Sequence, residues 1–306
     1  MKRRAFLIAG PTASGKSAVA LALAQKLDGI IVNADSMQVY RDLRVLTARP
    51  NASEEGQAPH ELFGCIDGAV NFSAGRWLVE ARAIASRIFA QGIPAIFVGG
   101  TGLYFRALTQ GFSEIPPVPE DVRSRVRAEA EPFESPSLHA QLAARDPATA
   151  DRLRPSDRQR ILRALEVFAA TGRPLASFQG ARQAPLLEPG QWAGLFLAPD
   201  REVLNSAIDT RFDAMLKAGA LEEAAALAAR KLDPALPVMR AHGAPHLIAH
   251  LKGELSLEEA ASRSMLDTRR YAKRQFTWAR HQMPEFAWIA PDKAVEAGDR
   301  AFDRFR

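Results

Sequence analysis

The run Gly10-Pro11-Thr12-Ala13-Ser14-Gly15-Lys16-Ser17 fits G-x-x-x-x-G-K-[ST] and constrains the fold more than any other stretch. Its glycines permit a backbone twist that aims successive N–H groups inward, as a phosphate or diphosphate requires. Lys16 supplies a point charge for phosphate oxygens, and the Ser17 hydroxyl is of the kind that ligates Mg2+. The flanks agree. Apolar Ala5–Ala9 reads as a buried strand and Gly15–Leu27 as a helix with an apolar face. That helix would add the positive end of its dipole to the cradle. The competing reading is a glycine-rich strand-to-helix turn that holds no ligand.

The alternation continues. Gly29–Ala34 reads as a strand ending at Asp35, taken as neighbour to the cradle strand. Ser73 suits the N-cap of a helix reaching about Gln91. Ile93–Val98 reads as a third strand, followed by the turn Gly99-Gly100-Thr101-Gly102 and another helix. Alternating strands and helices predict a parallel sheet covered on both faces. The pattern breaks at Ile115-Pro116-Pro117-Val118-Pro119, and residues from Glu114 to Leu187 read as helices only. Gln191–Leu197 is again strand-like, the chain after Arg201 is mostly helical, and Phe286–Ile289 suits a short last strand. The expected fold class is α/β: a P-loop NTPase-like parallel sheet flanked by helices, with an all-helical insertion domain. Residues 1–113 and 188–306 would form the core, 114–187 the insertion.

Composition narrows the classes. At 47% hydrophobic and 25% charged, the chain can bury a core. A net charge of +5 is compatible with a polyanionic partner and equally with none. One cysteine, Cys65, excludes an internal disulfide or Cys-based metal site and suggests a reducing, cytoplasmic setting. Cys65 itself is expected to be a small buried hydrophobe. The opening Met1–Ile8 starts like a signal peptide, but its apolar run stops at Gly10. No apolar stretch approaches the roughly 18 residues of a membrane span, and no membrane partner is expected.

Asp35 sits where open α/β sheets place ligands, at the carboxyl end of a strand. It suits a general base, an Mg2+ partner, a helix N-cap or a solvated turn. A nucleotide-hydrolysing P-loop machine needs a Walker B carboxylate at the end of an apolar strand. Here Ile93–Val98 runs into glycines instead.

Three further features stand out. Arg263–Arg280 carries six basic residues and one acid, Asp267. At 3.6 residues per turn the six fall within an arc of about 140°, facing away from Ala272, Phe276 and Ala279. That face is either a solvated surface or a track for a nucleic-acid backbone, with Tyr271 and Trp278 at its flanks. Arg152, Arg154, Arg158, Arg160 and Arg163 crowd the insertion, where Asp151, Asp157 and Glu166 offer partners. His242, His246 and His250 are four apart, but Pro245 interrupts the spacing and no carboxylate keeps it, so a metal site is not expected.

Four blocks, in order, resemble the tRNA dimethylallyltransferase (tRNA isopentenyltransferase) family of bacterial type. They are the cradle with Asp35-Ser36-Met37-Gln38-Val39-Tyr40, then Gly99–Tyr104, then Gln159–Val167, then Arg269–Trp278. The resemblance implies transfer of a dimethylallyl group from dimethylallyl diphosphate to the exocyclic amine of the adenosine 3′ to the anticodon. By that resemblance Asp35 is the general base and Thr101 helps hold the reacting groups. Gly10, Pro11, Thr12, Ala13, Ser14, Gly15, Lys16 and Ser17 hold the diphosphate, with Arg211 near it and Mg2+ on Ser17. Asp35, Ser36, Met37, Gln38, Thr101, Arg123, Gln159, Arg160, Ile161, Leu162 and Arg163 are expected to meet tRNA. A monomer is expected. The chain departs from the family pattern at Leu46–Pro50, at Asp157-Arg158-Gln159 and at His242-Gly243-Ala244-Pro245-His246. Two rivals remain: a P-loop kinase in which Asp35 activates an acceptor hydroxyl, and a non-enzymatic protein whose cradle holds an RNA phosphate.

Overall fold

The computed structural model describes residues 4–178 and 183–303. Met1–Arg3, at the start of the signal-like opening, and residues 179–182 of the helical stretch lie outside the described residues. Two compact units emerge: Met1–Thr109 with Leu186–Arg306, and Gln110–Pro185.

Among the described residues the larger unit is built on six parallel strands. These are β1 (Ala5–Ala9), β2 (Ile30–Asn33), β3 (His60–Glu61), β4 (Ala95–Gly99), β5 (Trp192–Leu197) and β6 (Ala287–Ile289). Their spatial order is β3-β2-β4-β1-β5-β6, and every pairing is parallel. β1, β2 and β4 are buried throughout, as strands covered on both faces must be. On one face Phe6 and Ile8 of β1 pack with Val19 and Leu23 of the helix Lys16–Leu27, with Ile96, and with Ala294 near the C-terminus. Elsewhere in this core Trp77 stacks on Tyr104 at 4.0 Å and 11°.

The sheet order corrects one expectation. The strand that ends at Asp35 is not beside the cradle strand, because β4 lies between them. Parallel pairing still brings all three carboxyl ends to one edge, with Ala9 opposite Gly99 and Asn33 opposite Val98. The chain leaving β2 then crosses the end of β4, where Thr101 N–H donates to Ala34 C=O at 3.2 Å. A Cβ on Gly99 would overlap the Ala34 carbonyl and lie 2.7 Å from Asp35 N. No side chain fits there, so a carboxylate cannot end this strand.

The smaller unit holds the helices Glu120–Ala130, Ser135–Arg145, Pro147–Ala150 and Arg158–Thr171, with no strand among its described residues. Val126, Leu138, Leu142, Ile161, Ala164 and Leu165 give it a core of its own. Among the described residues no helix is long and apolar enough to cross a membrane.

Gly99→Ala should therefore lower stability by about 3 kcal/mol or more, the upper range for overpacking a tight core. Urea denaturation of the purified variant measures it; an unchanged midpoint would contradict this account of the crossing.

Candidate active site

The cradle forms where β1 gives way to the helix Lys16–Leu27. Ala13 (φ 61°) and Gly15 (φ 81°) both adopt left-handed backbone, which turns neighbouring N–H groups toward one point. A Cβ on Gly10 would lie 2.8 Å from Ser14 Oγ. Ser14 Oγ is itself buried without a hydrogen-bond partner, an acceptor-and-donor group waiting for a polar ligand. The first intrahelical bond, Val19 N–H to Gly15 C=O at 3.3 Å, leaves the preceding N–H groups free of helical partners. Lys16 folds back so that Nζ donates to Pro11 C=O at 2.9 Å. Burial lowers its pKa to about 8, with Asp35 opposing that shift and Arg211 adding to it. Ser17 is exposed in the first helical turn.

Asp35 is fixed by the residue two before it. Asn33 is fully buried at the end of β2. Its amide donates to Asp35 C=O at 3.0 Å and to Leu62 C=O at 3.1 Å, and accepts from Asp35 N–H at 2.8 Å. Every polar valence of that side chain except one lone pair is thus used to set the exit of the strand. Asp35 Oδ1 then accepts from Met37 N–H at 2.9 Å, while a Cβ on Gly100 would lie 3.3 Å from Oδ2. Thr101 Oγ1 accepts from Ser36 N–H at 2.9 Å and donates to Ser36 Oγ at 3.2 Å. Tyr271 reaches the same spot and shares a hydrogen bond with Thr101; burial, reinforced by Asp35, holds its phenol well above the usual range.

A cavity of about 200 Å3 joins these groups. Thr12, Ala13, Asp35 and Arg211 line its polar part; Leu46, Ile208, Phe212 and Met215 line an apolar part. Burial lowers the Arg211 pKa, and Asp35 partly restores it. Arg211 also donates to Thr47 C=O at 3.4 Å. The loop carrying Leu46 and Thr47 is pinned from outside. Glu223 accepts N–H bonds from Arg44, Val45 and Leu46 at 2.6, 2.8 and 2.9 Å, and Gln38 donates to Thr47 and Ala48 carbonyls at 2.9 and 3.1 Å. A second cavity, of about 250 Å3, touches Gly100, Thr101, Gln275 and Trp278 and shares Tyr271 with the first.

Other expected residues fall differently. In the insertion Gln159 and Arg160 are exposed, but Ile161 is fully buried in that unit's core and offers no side chain to a partner. Leu162 packs partly against the same core. Arg158 is spent on the carbonyls of Ala130 and Phe133 at 2.7 and 2.6 Å. Glu166, with its side chain 3% exposed, gathers Arg127 at 2.8 Å and Arg123 and Arg163 at 3.8 Å. Along the helix Leu257–Gln282, Arg269 pairs with Asp209 and Arg270 lies 3.4 Å from Asp267, whereas Lys273, Arg274 and Arg280 are exposed.

The histidines part company. His246 lies 2.9 Å from Asp267 and holds its carboxyl below the usual range. His250 bonds the Leu255 carbonyl at 3.0 Å. His242 lines the first cavity and meets the Tyr271 ring at 4.6 Å, and its pKa is lowered by burial and then by Arg274. Among the described residues no cluster of three His, Cys, Asp or Glu is arranged to hold a metal. Cys65 is exposed, contrary to expectation. The left-handed Gly64 before it packs against Arg49, turning the cysteine outward.

A parallel sheet whose carboxyl edge carries this cradle defines a P-loop α/β protein. Comparison with known proteins narrows the class. The family model described as IPP transferase matches residues 38–282, and one described as isopentenyl transferase matches residues 3–59. A protein of Beijerinckia indica named tRNA dimethylallyltransferase is 62% identical over 95% of this chain and 96% of its own. One of the same name from Methylocella silvestris is 62% identical over 96% and 97%. The solved tRNA isopentenylpyrophosphate transferase of Staphylococcus epidermidis is 30% identical and superposes with a TM-score of 0.70 over 99% of this chain and 100% of its own. A eukaryotic dimethylallyltransferase solved acting on tRNA gives a TM-score of 0.82 at 26% identity, over 98% and 77%. The chain belongs to the IPP transferase family.

Asn33 escaped the sequence reading, because nothing local marks a strand-end asparagine as a strut. Asn33→Ala should cost about 2–4 kcal/mol, since it leaves Asp35 N–H and two carbonyls buried without partners. The midpoint of chemical denaturation reads it, and a loss below about 1 kcal/mol would refute the strut.

Proposed function

We propose that the protein transfers a dimethylallyl group from dimethylallyl diphosphate to the N6 amine of the adenosine 3′ to the tRNA anticodon. The observation that carries this reading is one cavity lined by the cradle, by Arg211 and by Asp35, with an apolar wall between Leu46 and Met215. The cradle N–H groups, Lys16 and Arg211 suit a diphosphate. The wall of Leu46, Ile208, Phe212 and Met215 suits a five-carbon chain. The turn after β4 leaves no room for the carboxylate that phosphoryl transfer would need.

In the reaction the C1–O bond of the donor breaks and its electrons go to the diphosphate. The N6–C1 bond forms, and the N6 proton passes to Asp35 Oδ2. An adenine amine is a weak nucleophile, so a positioned carboxylate contributes on the order of 10²–10⁴-fold. Charge builds on the leaving oxygens, where preorganised N–H donors, Lys16 and Arg211 act most strongly. Thr101, bonded to Ser36 and Tyr271, keeps the acceptor side in register.

The donor set fits Mg2+ in the manner usual for that ion: one protein hydroxyl, Ser17, with diphosphate oxygens and water completing the shell. Bound there, the ion would neutralise charge on the diphosphate. For tRNA, Asp35–Gln38 and Thr101 lie at or beside the cavity mouth. Gln159, Arg160, Arg163 and Arg123 on the insertion, and Lys273, Arg274 and Arg280 on the other unit, supply polar and basic contacts, and Leu162 on the insertion an apolar one. A tRNA substrate implies a cytoplasmic protein, and the reading takes it to act as a monomer.

The test is direct. Protein, Mg2+, dimethylallyl diphosphate and unmodified tRNA are incubated, and the digested RNA is inspected by mass spectrometry for one added dimethylallyl group; no such product defeats the reading. Asp35→Asn should lower turnover by about 10²–10⁴-fold with tRNA affinity nearly unchanged; equal losses would make Asp35 a binding residue.

Lys16 gives a second test. It sheds its proton near pH 8 in the free protein, and a bound diphosphate favours the charged form. Donor affinity should be level from pH 7 to 8 and then fall about tenfold per pH unit. Calorimetric titration between pH 7 and 9.5 measures this, and Lys16→Arg should abolish the break; a level wild-type profile would contradict it.

A further inference from the structure

The helix Leu257–Gln282 closes over the glycine turn that follows β4. Gln275 and Trp278 lie one turn apart on its inner face. A Cβ on Gly100 would overlap Gln275 Nε2, and one on Gly102 would overlap the Trp278 ring. The two glycines are thus a seat shaped for these side chains.

Gln275 does more than fill space. It is 8% exposed. Its Nε2 donates to Gly100 C=O at 2.8 Å, and its Oε1 accepts from Thr12 N–H at 3.2 Å. A backbone N–H can only donate and a carbonyl only accept, so the amide orientation is fixed by its partners. Gly100 precedes Thr101, which bonds Ser36 beside Asp35. Thr12 belongs to the cradle. One buried amide, 263 residues from Thr12 in sequence, therefore spans the leaving-group side and the acceptor side of the cavity.

We propose that Gln275 is a positioning residue for the transfer: its side-chain amide sets the distance between the phosphate cradle and the Thr101–Asp35 pair. This rests on the prenyl-transfer reading above. It occupies the edge of the sheet where other P-loop proteins carry a strand-end carboxylate, a place that Gly99 and Gly100 leave without a side chain. Each substrate keeps its own contacts without the amide. What is lost is their mutual alignment, for which a displacement of about 1 Å costs on the order of 10²-fold.

The experiment compares wild type with Gln275→Met, which preserves length and much of the packing. Single-turnover rates are measured with enzyme-bound donor and tRNA, beside separate affinities for dimethylallyl diphosphate and for tRNA. The expected result is a rate loss of about 10²-fold, with both affinities within about threefold. A folded variant with the wild-type rate overturns the proposal. So does a rate loss matched by an equal loss of donor affinity. A double-mutant cycle guards against a purely structural effect. Gly100→Ala should slow the wild type by expelling the amide, yet add much less in a Gln275→Ala background, where the overlap with the amide is gone and only Asp35 Oδ2, at 3.3 Å, remains close to the methyl. Multiplicative losses in the double variant would also overturn the proposal. Wild-type product is measured alongside: its absence defeats the functional reading and this one with it, whereas active wild type with unimpaired Gln275→Met defeats this one alone.

Discussion

The site depends on the crossing of two chain segments at the end of β4. In the observed order β4 separates the strand that leads into the cradle from the strand that leads to Asp35. Neighbouring strands lie about 4.8 Å apart, so two steps would leave the groups nearly 10 Å from each other. The chain leaving β2 closes that gap by folding across β4, and the crossing is possible only because Gly99 has no side chain. The same constraint removes the carboxylate that a nucleotide-hydrolysing relative would need. The carboxylate that this edge of the sheet brings to the cavity is Asp35 instead.

Much of this was legible in the sequence, for reasons that can be stated residue by residue. Ala5–Ala9 and the strand ending at Val98 are continuous apolar runs, the signature of strands buried on both faces. The cradle is read from glycine conformations and a helix start, both local. Ser73 caps its helix as its type predicts, accepting from Arg76 N–H at 3.3 Å. His60–Glu61 was not legible: two polar residues have no periodicity, and only β2 makes them a strand. Sheet order was not legible either, because strand neighbours are chosen by tertiary packing. Asn33, Glu223 and Gln275 share this limit. Asn33 bonds Leu62 as well as its near neighbour Asp35, and the partners of Glu223 and Gln275 lie at Arg44–Leu46 and at Thr12, so no short window of sequence contains these distant contacts. The basic arc was only half right. Its periodicity is real, but Asp209, on a different helix, neutralises Arg269.

The pinning of the Arg44–Leu46 loop shows how the apolar wall is kept open. Three N–H bonds to one carboxylate are charge-assisted and individually strong. Glu223 thereby anchors backbone whose neighbour Leu46 presents its side chain to the cavity. A second tie lies further out, where Arg230 bonds both Asp42 and Asp67. That pair is more exposed and contributes less to stability. The loop is therefore held by its half-buried carboxylate and only steadied by the surface ions. Gly243, left-handed and 3.1 Å from Leu46 and Phe212 by the position of its absent Cβ, closes the other side. Of the divergent His242–His246 segment, His242 thus belongs to the cavity wall, against the Tyr271 ring.

Electrostatics completes the argument for what enters. Lys16 and Arg211 are close enough to couple electrostatically, with Asp35 as the counter-charge common to both. Keeping Lys16 charged there costs roughly 3 kcal/mol relative to water. A site that spends stability in this way recovers it from a polyanion, and a neutral ligand would recover nothing.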